Sequence, residues 1–271
     1  MFKRPGAIIS LFLLILAILV PFLPLGDPTA LGNMEERLLA PSISHLMGTD
    51  IHGRDVLLRL LHGSRVSLLV GWVSVLVAVG LGTLVGLLAG LGSRFVDRVL
   101  MLITDLFLAF PRLFLVLLLV SLAQPSLALV MLVIGLTGWM PVARLVRAEA
   151  LSLRERDFVH VARGVGLSSW RIATHHILPN LVPTIIVTAA LRVGGAILTE
   201  AFLSFLGLGV QEPIISWGAM IQQGRNHLVD SWWLAAFPGL AIALTVIGYN
   251  LLADDLRNAL DPSRQKEVSS K

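Results

Sequence analysis

The chain has 271 residues, of which 56% are hydrophobic and only 14% charged, and its mean hydropathy is +0.84. This balance excludes a soluble globular domain and implies a polytopic membrane protein. The net charge of +4 is no argument for nucleic acid, because most basic residues flank apolar runs, and the absence of cysteine excludes disulfides and thiolate metal sites.

In chain order, Lys3 and Arg4 precede an apolar run over 7–25, close to the ~20 residues a helix needs to cross a bilayer. Pro21, Pro24 and Pro28 follow where a small-residue cleavage pattern would stand, so an uncleaved anchor is expected in preference to a signal peptide. Residues 26–62 are polar. Within them and just beyond, HLMGTDIHGRDVLLRLLHG at 45–63 predicts a loop ending in a short amphipathic helix, with Leu57, Leu60 and Leu61 on one face. Such a helix lies in the membrane interface or packs on the protein's own surface.

Further apolar runs at 66–92, 99–122, 127–146, 181–207 and 236–256 bring the expected spans to about six. With the N-terminus inside, the cytoplasmic segments hold Lys3, Arg4, Arg94, Arg98, Arg144, Arg147, Arg154, Arg156, Arg163, Arg171, Arg257, Arg264, Lys266 and Lys271. Only Arg37, Arg54, Arg59, Arg65 and Arg225 fall outside, so both termini are expected in the cytoplasm. The arginines of the first outer loop run against that rule. Gly82, Gly86 and Gly90, at intervals of four, form a small-residue face for close helix packing, either within the chain or with a partner.

Between the fourth and fifth runs lies a basic, amphipathic island, RAEALSLRERDFVHVARGVGLSSWRIATHHILPNLVP at 147–183. Its apolar residues keep helical spacing. A helix over Leu153–Val165 is predicted, with Phe158, Val161, Ala162 and Val165 on one face. Gly164 and Gly166 end it, Ser168 or Ser169 caps a second short helix, and Pro179 is expected to stop that helix near Leu178. The product is a helical hairpin on the cytoplasmic side.

Motifs for chemistry are missing. A phosphate-binding P-loop needs a lysine after a glycine-rich turn, and Lys3, Lys266 and Lys271 are not preceded by glycine. Neither H-E-x-x-H nor G-x-S-x-G occurs, and the adjacent His175 and His176 point about 100° apart on a helix, a poor metal pair. No catalytic site and no metal site are expected. Four ionisable residues fall within spans: Asp105 and Arg112 in the third, Arg192 and Glu200 in the fifth. Facing lipid would cost each ~2.5–3.5 kcal/mol, so they are expected to face inward. Asp105 and Arg112 share a helix face but stand ~10 Å apart by helix rise, too far to pair directly. Pairing with Arg192 and Glu200 is the structural expectation. Lining a path for a zwitterionic solute is the functional one.

The island resembles the coupling loop of ABC-importer permeases, whose pattern runs Glu-Ala-Ala, three residues, Gly, nine residues, Ile, one residue, Leu-Pro. The alignment puts His160, Val161 and Ala162 at the first three positions, followed by Gly166, His176, Leu178 and Pro179. HLMGTDIHGRD at 45–55, SLRERDFVHVAR at 152–163, HHILPN at 175–180, SFLGLGV at 204–210, WGAMIQQGRN at 217–226 and FPGLAIALTVIGYNLLADDLRNALDP at 237–262 resemble the dipeptide, oligopeptide and nickel branch, C-type subunit. His160 stands where the family has its glutamate and Val161 where it has an alanine. Docking is therefore expected through shape and apolar contact, with Phe158 and Val165 as knobs.

The resemblance implies an all-α transmembrane bundle of the type I ABC-importer permease kind in the bacterial or archaeal inner membrane. Residues 1–63 would be anchor and outer loop, 64–262 the permease core with its coupling hairpin near 147–180, and 263–271 a cytoplasmic tail. It further implies a second, similar permease, two cytosolic ATPase subunits that use ATP and Mg, and an external substrate-binding protein. The chain itself would bind no cofactor and catalyse nothing. Di- or oligopeptides are the leading cargo, with nickel, a metal chelate or another peptide-like solute behind them. An ion-coupled secondary transporter would leave the cytoplasmic hairpin without a use.

Overall fold

The computed structural model describes residues 5–23, 26–124 and 126–260; Lys3, Arg4 and the tail at 263–271 lie outside them. Every regular element among these residues is helical. The first span is α1, Pro5–Leu19, which a short 3-10 turn extends to Phe22. The second is α2, Val56–Leu91, whose 36 residues rise ~54 Å and exceed the ~30 Å hydrocarbon core.

The length of α2 corrects the reading of 45–63. No separate interfacial helix forms, because nothing between Leu57 and Val66 breaks a helix, and Asp55 caps the whole of it by accepting from Leu58 N at 3.0 Å. The apolar face of those first turns meets the protein itself. The Trp217 indole donates to Leu60 O at 2.9 Å, and its backbone N–H donates to Ser67 Oγ at 3.0 Å.

The third run is also not one straight span. It divides into α3, Arg94–Ala109, and α4, Arg112–Ser121, bent by 86°. Pro111 causes the break: it lacks an N–H and holds Phe110 extended, at φ −84° and ψ 136°. Next come α5, Leu127–Leu136, and α6, Trp139–Arg154, which together make one long apolar segment with a turn at Thr137–Gly138. After them stand α7, Asp157–Gly164, and α8, Ser169–Ile172, with a π-turn over Ala173–Ile177 leading into α9, Leu178–Phe205. The short α10, Trp217–Gly224, and α11, Trp233–Leu260, complete the bundle. Among the described residues five helical segments are long and apolar enough to cross, or six if the bent α3–α4 pair counts as one span.

The core is organised on α2, which packs along α5, α6 and α9, while α11 closes on α9 and α1. The glycine ladder faces α6. A Cβ on Gly82 would lie 2.5 Å from Val142 Cβ, one on Gly86 2.7 Å from Val146 Cβ, and one on Gly90 3.0 Å from Ala150 Cβ. The small-residue face therefore serves packing within the chain. Ala7 N donates to Asp255 Oδ2 at 3.2 Å, so α1 starts where α11 ends. Gly90 lies against Ala150, and Leu91, at the end of α2, lines one pocket with Arg154 and Arg163, which sets the α6–α9 connection at that same, cytoplasmic end.

At the opposite end the loop arginines are internally neutralised. Arg54 donates to Asp50 through Nε at 2.7 Å and to Glu212 at 3.3 Å, and Arg59 pairs with the same Asp50 carboxylate. Arg54, Arg59 and Asp50 are all buried. Two of the charges that ran against the orientation rule are thus structural.

Candidate functional site

The helical hairpin is built from four short decisions in the chain. The long α6 stops at Arg154, with Glu155 at φ −91° and ψ 5°, and Arg156 turns extended to start α7. Asp157 lies in the first turn of α7 and Arg163 in its last, each sign favourable for the helix dipole. The end of α7 is a Schellman motif: Leu167 N donates to Ala162 O at 3.1 Å and Gly166 N to Arg163 O at 2.9 Å. It requires the left-handed φ of +82° at Gly166. Ser168 then caps α8 by accepting from Arg171 N at 3.4 Å.

The structure differs from the sequence reading in two ways here. A helix spanning Leu153–Val165 is broken at Glu155–Arg156, so α7 stands as its own element. Pro179 does not stop the second helix either. It occupies the first turn of α9, where its missing N–H costs nothing, and the π-turn at Ala173–Ile177 joins α8 to α9 in one segment.

These turns sort the residues of α7 into two faces. Val159 is 0% exposed and joins Ala162, Ile172 and Ile177 in the core. Phe158, Val161 and Val165 project outward with exposures of 40%, 66% and 72%. The expected apolar face therefore loses Ala162, which turns inward as the anchor of the helix. His160 is exposed beside the outward strip, as are Gly166 and Pro179, whereas Leu178 is half-buried. Trp170 on α8 is exposed too and extends the apolar surface; sequence spacing did not single it out as a contact.

The four intramembrane charges do not form the pairs expected of them. Asp105 accepts from Arg144 of α6 at 2.6 Å. Arg112 and Arg192 both turn to the α5–α6 junction, donating to Ile134 O at 3.5 Å and Gly138 O at 3.0 Å. The bend at Pro111 removes Arg112 from the helix face of Asp105. Glu200 is fully buried and accepts from Ser204 and Ser216 through one oxygen, each at 2.7 Å, while its Oε2 has no hydrogen-bond partner among the described residues. Ser216 also caps α10 by accepting from Ala219 N at 3.1 Å, so Glu200 holds this short helix in place.

The outer cluster of Asp50, Arg54, Arg59 and Glu212 was missed from the sequence. Asp50 and Arg54 are four apart, but the contribution of Glu212, more than 150 residues away, leaves no local signal. Burial works to raise the Asp50 carboxyl, yet the Arg54 backbone N–H and the Arg59 and Arg54 guanidiniums outweigh it and hold the group below its ordinary value.

The sequence pattern of the family described as "Binding-protein-dependent transport system inner membrane component" matches residues 82–266. The chain belongs to this family. Over nearly its whole length this inner-membrane component is similar to bacterial transport permeases. The probable D,D-dipeptide transport system permease protein DdpC of Escherichia coli K12 is 43% identical over 258 residues, 95% of this chain and 86% of the relative. DppC, the dipeptide transport system permease protein of Alkalihalophilus pseudofirmus, is 41% identical over 95% of this chain and 84% of its own. The oligopeptide transport system permease protein OppC of Haemophilus influenzae is 38% identical over 96% and 86%. Among solved structures, the MetNI methionine ABC transporter in inward-facing conformations aligns with a TM-score of 0.62 over 75% of this chain and 96% of that one. At 16% identity this likeness concerns the fold, the type I ABC-importer permease bundle.

Proposed function

We propose that this inner-membrane component is one of two permease subunits of an ATP-driven importer of di- or oligopeptides, and that α7 and α8 dock on a cytosolic ATPase subunit. The observation that carries the reading is the similarity, over nearly the whole chain, to permeases described as dipeptide and oligopeptide transporters. Peptide cargo is preferred over nickel or a chelate for that reason. The partner set is a second, homologous permease, two ATPase subunits and an external binding protein. ATP and Mg are used by the ATPase subunits, and this chain binds no cofactor.

In this mechanism ATP closes the ATPase pair, the docked hairpin moves with it, and the spans rock between inward- and outward-open arrangements. Phe158, Val161 and Val165 supply the apolar knobs. His160 cannot reproduce the acidic charge the family carries there, so shape takes the larger part. Gly166, Leu178 and Pro179 fix the turns on either side, and Ala162 and Val159 fasten α7 to the bundle. Asp105, Arg112 and Arg192 are the residues assigned to the translocation path; Glu200, with no exposed surface, is assigned to support α10.

Affinity purification through a tag on this chain, co-expressed with the second permease and ATPase chains encoded with it, tests the assignment. A complex containing both permeases and two ATPase subunits is expected. Recovery of this chain alone, from a preparation in which the others are expressed and folded, contradicts it.

A further inference from the structure

Two depressions meet at the cytoplasmic end of α2. One is an apolar groove of about 720 Å³ between α2 and the α8–α9 segment, with Val79, Thr83, Leu87, Leu88, Trp170 and Ile185 among its walls. The other, about 180 Å³, is lined by Leu91, Arg154, Arg163, Ser169, Ile172 and Ile177. Leu91 and Ser169 belong to both, so one surface changes from hydrocarbon to cationic along its length.

The cationic end is unbalanced. Arg154 comes from α6 and Arg163 from α7, and neither has an ion-pair partner among the described residues, although Asp97, Asp105 and Asp50 all hold arginines elsewhere. Placement in the last turn of a helix favours each arginine separately. The dipole does not explain why two guanidiniums from different helices share one small pocket, where their repulsion calls for an anion. A free inorganic anion would satisfy the arginines but leave the groove empty. A zwitterionic headgroup carries its own cation into the pocket. An anionic amphiphile satisfies both ends, and the pocket lies at the end of α2 where the basic residues collect, the side on which basic side chains attract anionic lipid.

We propose that this surface binds one anionic phospholipid, with its phosphate on Arg154 and Arg163 and an acyl chain along the α2–α9 groove. The occupant braces the corners where α6 meets α7 and α7 meets α8. The binding site itself does not depend on the docking assignment of α7, and binding is what the test reads.

The intact transporter complex, purified and exchanged into phosphatidylglycerol or phosphatidylcholine, is examined by native mass spectrometry for lipid retained through delipidation. The wild type is expected to retain phosphatidylglycerol in preference. Arg163→Gln should weaken that preference roughly fivefold, and the Arg154→Gln, Arg163→Gln pair roughly 25-fold, at about 1 kcal/mol per arginine near an anionic surface. Gly80→Phe fills the groove from a position where an added Cβ meets nothing within 4 Å, and should weaken both lipids alike. Equal retention of the two lipids by the wild type overturns the proposal, as does an unchanged preference in Arg163→Gln. Displacement of phosphatidylglycerol by inorganic phosphate with the same potency in wild type and Gly80→Phe assigns the pocket to a free anion and overturns it as well.

Discussion

Ser216 donates a 2.7 Å hydrogen bond to Glu200 and with the same oxygen caps α10, so a fully buried carboxyl in α9 sets where that short helix begins. Gly218 sits directly behind this joint, where a Cβ would come 2.5 Å from Ala201 Cα. Removing the acceptor should free α10. Glu200→Ala is expected to lower stability by several kcal/mol, since each orphaned buried hydroxyl costs about 1–3 kcal/mol and a cavity adds to it. Glu200→Gln keeps a carbonyl oxygen for both serines and should lose less. Thermal unfolding in detergent compares the two, and an equal or larger loss for Glu200→Gln contradicts the latch.

The outer ion cluster makes a similar prediction with a pH dependence. Asp50→Asn leaves Arg59 buried without its main partner and should cost roughly 3–5 kcal/mol. Because the Asp50 carboxyl is held below its unfolded value of about 3.9, its contribution is fully present above that value and is lost as pH falls through the folded one. Lowering the pH from 8 to 5 should therefore leave this contribution intact. Limited proteolysis of the 26–55 loop checks it; release of the loop by pH 5 in the wild type, but not in Asp50→Asn, contradicts the assignment.

Helix packing on α2 distinguishes glycines that look alike in sequence. Gly86→Val must displace the backbone of Ala143, whose carbonyl oxygen would lie 2.7 Å from the new Cβ, and should cost more than about 3 kcal/mol or prevent folding. Gly80→Ala points into open space and should be neutral or slightly stabilising. Expression yield and melting temperature give the comparison, and similar losses in both would contradict the packing described.

Arg112 and Arg192 converge on the carbonyls of the α5–α6 junction with no carboxylate partner among the described residues. If they face the path, Arg112→Gln should reduce uptake of peptides with a free C-terminal carboxylate by about tenfold, at the strength of a charge-assisted hydrogen bond, and affect C-terminal amides much less. Uptake by proteoliposomes containing the whole importer measures both. An equal loss for the two peptide classes contradicts a role in recognising the carboxylate.

Much of this architecture was legible because lipid imposes a simple rule: long apolar runs become helices, and basic residues collect at one end. The hairpin was legible for a different reason, since Gly166 and Ser168 are local signals whose geometry is fixed by their own chemistry. Misread features had causes outside the local sequence. The turns at 56–63 read as a separate short helix, in the interface or packed on the protein, and the choice between the two was not local because their partner, Trp217, lies more than 150 residues away. Pro179 read as a terminator because a proline in a first helical turn and one in a helix interior look the same until the preceding π-turn is seen. Of the four intramembrane charges, Glu200 is buried, Arg192 half-buried, and Asp105 and Arg112 exposed, and which groups satisfy them depends on a bend at Pro111 and on serines that carry no charge pattern.

Coupling to the ATPase falls to the outward strip of α7 in the proposed mechanism. The direct measurement is substrate-stimulated ATPase activity of the reconstituted importer carrying Phe158→Asp, which changes an exposed residue and leaves the buried Val159 and Ala162 untouched. Insertion and melting temperature should match the wild type, while stimulation and peptide uptake fall at least tenfold. Wild-type stimulation in a variant assembled to the same level would show that α7 does not carry the coupling.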